Sequence, residues 1–307
     1  MIRTVLGNIA PDTLGVTDSH DHLFFASAKL PGQELDDVAA AEAELRAFAE
    51  AGGQALAQWT PMGLGRRAEA LPALSEAAGV HVIAATGLHQ AGHYPPEKLP
   101  RLLDGLAERF IAELSEGLRR DEEPDGPPLP ARAGLIKVAG DFHQVDRHAS
   151  VTFEAAAAAH HATGSTIAVH LEGGTHPLGV LKSLDGVPAS SVILGHLNRF
   201  PDLGPHREAA EAGAFLGFDG PSRANHATDW RLFDCLAALV EAGHADRILL
   251  GGDTTSAAGR ASSGGGPGIP FLLTDIRARV LRDFGPDVAD AFFRRNPARA
   301  FDAGWRV

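Results

Sequence analysis

The stretch Leu14-Gly15-Val16-Thr17-Asp18-Ser19-His20-Asp21-His22 is an apolar segment that ends in two alternating histidines. Residues i and i+2 of a β-strand face the same side of a sheet, so both imidazoles can reach one metal ion if that side lines a cavity. A pair of this kind also arises by chance in a histidine-rich chain. The pair therefore indicates a metal site only if other segments supply further ligands.

Four later apolar runs supply such residues. Leu135–Ala139 carries Lys137 in its interior, which is a costly place for an ammonium group unless something neutralises or modifies it. The other three runs end in His170, His196 and Asp253. Imidazole and carboxylate groups are common ligands of divalent metal ions. The ends of these segments together predict a metal centre.

Short apolar runs alternate with helical patterns along the chain. The apolar runs lie near residues 14–20, 54–59, 81–86, 135–139, 166–170, 191–196, 214–218 and 247–251. The helical patterns cover residues 36–50, 66–78, 96–119, 153–163, 178–184, 202–212, 230–242 and 269–283. Eight strand-then-helix units predict an α/β protein with one (β/α)8 TIM barrel over residues 1–307, and an open doubly wound sheet is the alternative. Barrel active sites lie at the carboxyl ends of the strands, where His22, His170, His196 and Asp253 fall.

Composition limits the partners of the chain. The 307 residues include 27 basic and 39 acidic ones, giving a net charge of −12 without a Lys/Arg cluster. This negative net charge disfavours binding to nucleic acid and to anionic membranes. Cys235 is the single cysteine, and the sequence shows neither a signal-peptide pattern nor a membrane-length apolar run. We expect a cytoplasmic enzyme with a small-molecule substrate, and a homodimer is compatible with the sequence.

Two loops on the predicted catalytic rim are candidates for substrate contact. His89, His93 and Tyr94 follow the third apolar run, and we expect them to bind substrate, with packing as the alternative role. The glycine-rich segment from Thr254 to Gly268 follows the eighth run. Its position predicts a lid or a wall of the substrate cavity.

Six motifs, in this order, resemble the phosphotriesterase family of the amidohydrolase superfamily. They are Thr17-Asp18-Ser19-His20-Asp21-His22-Leu23, Ile136-Lys137-Val138-Ala139, His170-Leu171-Glu172-Gly173-Gly174, Gly195-His196, Gly251-Gly252-Asp253 and Asn296-Pro297-Ala298-Arg299-Ala300-Phe301. The resemblance spans nearly the whole chain. It implies a metal-dependent hydrolase of ester bonds built on a barrel.

The resemblance also implies two divalent ions, usually zinc, and a set of ligands. The more buried ion would be held by His20, His22 and Asp253, and the more exposed ion by His170 and His196. Lys137, carbamylated by CO2, would bridge both ions, which removes the cost of a buried ammonium group. A hydroxide shared by the two ions would be the nucleophile, and Asp253 would accept its proton.

The sequence departs from the family pattern at two places. Asn198 stands where an aspartate is usual. The resemblance implies that members hydrolysing phosphorylated sugar lactones use basic and tyrosyl residues after strands seven and eight, where this chain has Arg223 and Arg260 in a diluted pattern. Arg223 is our candidate for substrate binding. Because these loops lack a dense basic cluster, we expect neutral lactones or carboxylic esters to be preferred. The alternatives are a phosphotriesterase, a phosphorylated-sugar lactonase, a single-metal deaminase, which Lys137 argues against, and a noncatalytic metal-binding protein.

Overall fold

The computed structural model describes residues 1–220, 229–263 and 265–306. A short antiparallel hairpin, β1 (Ile2–Thr4) and β2 (Gly7–Ile9), precedes the main sheet. The eight parallel strands of that sheet are β3 (Thr17–Asp21), β4 (Ala55–Gln58), β5 (His81–Gly87), β6 (Leu135–Ala139), β7 (Ile167–His170), β8 (Val192–Gly195), β9 (Phe215–Asp219) and β10 (Ile248–Gly251). Each strand pairs with the next one along the chain, as the (β/α)8 prediction requires.

The first and last strands of this sheet come together and nearly close the barrel. The backbone N–H of Asp253, just after β10, donates to the carbonyl oxygen of His20 in β3 over 2.9 Å. A Cβ atom on Gly251 would lie 2.7 Å from that same oxygen, so only glycine permits this approach. The TIM-barrel prediction is confirmed, and the open doubly wound sheet is excluded.

The helices lie outside the strands and follow the predicted alternation. They are α1 (Val38–Glu50), α2 (Leu71–Ala78), α3 (Leu99–Leu103), α4 (Leu106–Ser115), α5 (Arg147–Thr163), α6 (Pro177–Ser183), α7 (Leu203–Glu211), α8 (Leu232–Glu241), α9 (Ala278–Phe284), α10 (Pro286–Asp290) and α11 (Asn296–Ala300). Two π-helical segments, Leu272–Arg277 and Ala291–Arg295, lead into α9 and α11. In the described part of the chain, no helix is both long enough and apolar enough to span a bilayer.

Several helices differ from their predicted bounds, and α2 begins at Leu71 rather than at residue 66. The single helix predicted over residues 96–119 is divided into α3 and α4, because Gly105 adopts a left-handed conformation with φ +59°. The helix predicted to begin at residue 153 begins at Arg147. Its N-terminus is fixed by the Asp146 side chain, which accepts a hydrogen bond from Ala149 N over 2.7 Å.

The barrel interior explains where the candidate ligands point. Alternate strand residues fill that interior with small and branched apolar side chains, including Ala57, Ala85, Leu135, Ala168, Ile193 and Leu249. Lys137 and His170 lie two residues beyond Leu135 and Ala168 on the same strands. Because side chains alternate along a strand, both face the barrel interior, just above its apolar filling.

Candidate metal centre

The six predicted ligands converge at the carboxyl ends of five barrel strands. They are His20 in β3, His22 just after it, Lys137 in β6, His170 at the end of β7, His196 after β8 and Asp253 after β10. All six line one cavity of about 180 Å³. Five of the six side chains are buried, and the partly buried His170 side chain has 13% of its surface exposed.

The two histidines from the β3 segment each have one ring nitrogen held by a neighbour. His20 Nδ1 lies 2.7 Å from Asp219 Oδ2, and His22 Nδ1 lies 2.7 Å from Thr60 Oγ1. The Thr60 hydroxyl donates its own proton to Phe24 O, so it accepts the Nδ1 proton of His22. The Asp219 carboxylate likewise accepts the proton of His20. In both rings the Nε2 lone pair therefore faces the cavity.

The other two histidines are arranged in a similar way. His196 Nδ1 is hydrogen-bonded to Asp219 Oδ1, and His170 Nε2 lies 3.0 Å from Glu172 Oε2. The remaining nitrogens, His196 Nε2 and His170 Nδ1, face each other at 2.8 Å. Burial lowers the pKa of His170 to about 4 and that of His196 well below its ordinary value, so neutral rings are favoured. Two lone pairs then face one another, and a cation satisfies both.

Asp253 completes the inner group of candidate ligands. Its Oδ1 atom lies 3.5 Å from His20 Nε2 and 3.4 Å from His22 Nε2. Two atoms bound to one zinc ion at the usual 2.0–2.1 Å are separated by about 3.4 Å in a tetrahedral site. One ligand atom each from His20, His196 and Asp253 also lies within 4.8 Å of the others. These residues therefore fit a divalent ion.

The Lys137 side chain is buried at the cavity that the candidate ligands line. Burial lowers the pKa of Lys137 to about 7, and the charge of Asp253 offsets only part of that shift. At neutral pH a large fraction of the amine is therefore unprotonated and nucleophilic.

Two of the residues predicted to bind substrate, His89 and His93, line the same cavity. Their rings stack with centroids 4.2 Å apart, and His93 Nδ1 lies 2.8 Å from Ser27 Oγ. Burial lowers the pKa of His93 to about 4 and that of His89 well below its ordinary value, which favours the neutral form of both rings. Tyr94 is buried, and its hydroxyl accepts a hydrogen bond from His89 N over 2.8 Å. Tyr94 thus supports His89, and its contact with substrate stays a prediction.

Two arginines, Arg223 and Arg260, were predicted as the basic residues of the loops after β9 and β10. Arg223 lies outside the described residues. Arg260 is buried and donates to the backbone carbonyl oxygens of His22 and Leu23, away from the cavity, so it braces the β3 loop. Within the glycine-rich segment, Thr255 lines the cavity, and the choice between a lid and a wall stays a prediction.

Sequence reasoning missed Asp219, the carboxylate that holds both His20 and His196. Burial opposes its ionisation, but these two imidazoles hold the pKa of Asp219 well below its usual range. Asn198, the departure noted in the sequence, accepts a hydrogen bond from Asp219 N over 3.1 Å and so supports this carboxylate. Asp219 is the last residue of β9, and the signal that singled out Asp253, a polar residue at a strand end, could also have found it.

Comparison with known proteins agrees with this geometry. The model of the phosphotriesterase family matches residues 1–301. The chain belongs to the phosphotriesterase family. A phospho-furanose lactonase of Mycoplasmopsis agalactiae is 32% identical over 251 residues, which are 76% of this chain and 70% of that protein.

Solved structures of other family members superpose closely on this one. A lactonase from Listeria monocytogenes aligns with a TM-score of 0.88 and 28% identity, covering 98% of both chains. The phosphotriesterase homology protein of Escherichia coli, solved with phosphate in its active site, aligns with a TM-score of 0.86 and 26% identity over 94% of this chain and 99% of that one. The family and these relatives indicate a hydrolase.

Proposed function

We propose that this phosphotriesterase-family protein is a binuclear metal-dependent hydrolase that opens lactones or cleaves small carboxylic esters. The observation that carries the proposal is the pair of facing acceptor nitrogens on His170 and His196, next to a second group of inward-facing nitrogens and Asp253 Oδ1. When bound, two divalent ions such as zinc would polarise the ester carbonyl and lower the pKa of water.

Each residue has a role in this proposal. His20, His22 and Asp253 would hold the inner ion, His170 and His196 would hold the outer one, and Lys137 would contribute to both. The neutral amine of Lys137 attacks the carbon of CO2, a nitrogen–carbon bond forms, and one proton passes to solvent. The resulting carbamate anion would offer two oxygens to the ions, and the lowered pKa of the buried amine favours its formation because only the neutral amine attacks CO2.

Proton transfer and substrate orientation fall to residues of the cavity wall. Asp253 accepts the proton released when water adds to the carbonyl carbon, and neutral His89 and His93 can donate hydrogen bonds to the substrate. The described cavity of about 180 Å³ favours a small ring over a bulky phosphotriester. One relative is named a lactonase and another a phospho-furanose lactonase, which agrees with a lactone rather than a phosphotriester as substrate.

Metal analysis combined with a substrate panel tests the proposal. After incubation with excess zinc and bicarbonate, we expect two ions per chain, and chelation should abolish hydrolysis. A stoichiometry that stays near one would contradict the binuclear centre. The panel contains neutral lactones, aryl esters, a phosphotriester and a phosphorylated sugar lactone, and turnover of the phosphotriester alone would contradict the lactonase assignment.

A phosphorylated-sugar lactonase is the second candidate, and Lys29 favours it. This exposed lysine lines the cavity, and its charge helps to lower the pKa of His93 and of Glu172 on that wall. The preference for neutral lactones was predicted from the few basic residues in the loops after β9 and β10. Lys29 adds a positive charge from a different loop, the one after β3. If a 5-phosphorylated lactone is turned over at least about tenfold better than its neutral counterpart, the second candidate replaces the first.

Substitution of Lys29 tests whether the substrate is phosphorylated. If the substrate is phosphorylated, Lys29→Gln should lower kcat/KM for it by about 10–100-fold, because one charge-assisted hydrogen bond is lost. Activity with the neutral lactone should stay the same. Lys182→Gln, at another exposed lysine, serves as the control. Equal losses on both substrates would instead mean that Lys29 supports the cavity wall.

A further inference from the structure

Arg199 reaches the candidate metal centre from a rigidly held turn. The turn Leu197–Arg199 follows His196, whose backbone is left-handed with φ +66°. It packs so closely on Gly174 that a Cβ there would lie 2.4 Å from His196 O. Asn198 ties the same turn to β9 through Asp219 N. The backbone that carries Arg199 is therefore fixed from two sides.

The two oxygens of the Asp253 carboxylate face different neighbours. Its Oδ1 atom faces His20 Nε2 and His22 Nε2, whereas its Oδ2 atom accepts a hydrogen bond from Arg199 Nη2 at 2.5 Å. The Asp253 backbone is itself left-handed, with φ +48°, and only 4% of its side chain is exposed. Rotation of this carboxylate would break the bond to Arg199 and turn Oδ1 away from the imidazoles.

We infer that Arg199 is a positioning residue that fixes the orientation of the Asp253 carboxylate and thereby the affinity of the inner metal site. The inference rests on the proposed function for its catalytic consequence, but not for metal binding itself. A partner that orients a ligating carboxylate typically contributes about 10–100-fold to metal affinity or activity. The opposing effect is repulsion between the guanidinium and the cation, which predicts tighter binding when Arg199 is removed.

Zinc affinity decides between orientation and repulsion. We expect Arg199→Met to bind zinc about 10–100-fold more weakly in a chelator competition, and kcat for the best lactone to fall by a similar factor. KM should change by less than about threefold, because Arg199 acts through Asp253. Arg199→Lys should recover part of both losses, since it keeps the charge but not the planar fork of donors. Arg207→Met, an exposed arginine on α7, is the matched control, and thermal unfolding checks the fold of each variant.

Different results overturn different claims. Unchanged or tighter zinc binding in Arg199→Met would refute the positioning role, as would a rise in KM with unchanged kcat, which would make Arg199 a substrate-binding residue. A parent protein that binds zinc but hydrolyses no lactone or ester would refute the proposed function alone, because the zinc comparison still tests Arg199. A parent protein that binds no divalent ion would refute both.

Discussion

Replacement of Lys137 by alanine should abolish nearly all hydrolysis, with kcat/KM falling by about 10³-fold or more, equivalent to about 4 kcal/mol of lost transition-state stabilisation. The reason is that the side chain proposed to bridge both ions is gone, so the outer ion, held otherwise by His170 and His196, is lost. Elemental analysis should show about one ion per chain after zinc loading. Steady-state kinetics on a lactone measures the loss of activity.

Rescue by a small acid separates the bridge from a structural role. Alanine leaves space where the lysine side chain lay, so acetate or propionate should enter and restore part of the activity and the second ion. Lys137→Met is the matched control, because its side chain fills that space and leaves no room for the acid. Unchanged activity in Lys137→Ala would remove the carbamate from the mechanism.

Asp219→Asn should have the second-largest effect, because one carboxylate accepts the Nδ1 protons of both His20 and His196. An asparagine offers one acceptor oxygen and one donor nitrogen, so only one of the two rings keeps its partner. The other ring must turn or place its proton on Nε2, which then cannot bind a metal. We expect zinc affinity and kcat/KM each to fall by about 100-fold.

Chelator competition and kinetics measure these losses. Asp185→Asn, at an exposed position, controls for the loss of one negative charge from the chain. Zinc affinity equal to that of the parent protein would show that the two histidines are oriented without Asp219.

The positions of the candidate ligands were predictable from the sequence, because strand ends follow from local patterns. His170, His196 and Asp253 each close an apolar run, and a barrel brings such ends together whatever the order of the strands. Asp219 was missed because the seventh run was drawn to residue 218, one residue short. The hydrogen bond from His22 Nδ1 to Thr60 Oγ1 also lay beyond prediction, since it depends on how two neighbouring strands are staggered.

Other features could not be predicted, because they involve very short strands or residues carried by loops. The β1–β2 hairpin has three residues in each strand, too few to show an alternating pattern. Lys29 and Arg199 reach the cavity from loops, whose course in space follows from packing rather than from periodicity. The break at Gly105 depends on one residue within an otherwise helical pattern.

The meeting of β3 and β10 links the proposed centre to the order in which the chain is made. His20 and His22 come from the first barrel strand, and Asp253 follows the last, joined to His20 by a backbone hydrogen bond. A growing chain on the ribosome therefore displays two histidines long before their carboxylate partner exists. Such distant pairings form late in folding. In the proposed centre, binding of the inner ion would therefore be coupled to closure of the barrel, because its ligands come from the first and the last strand.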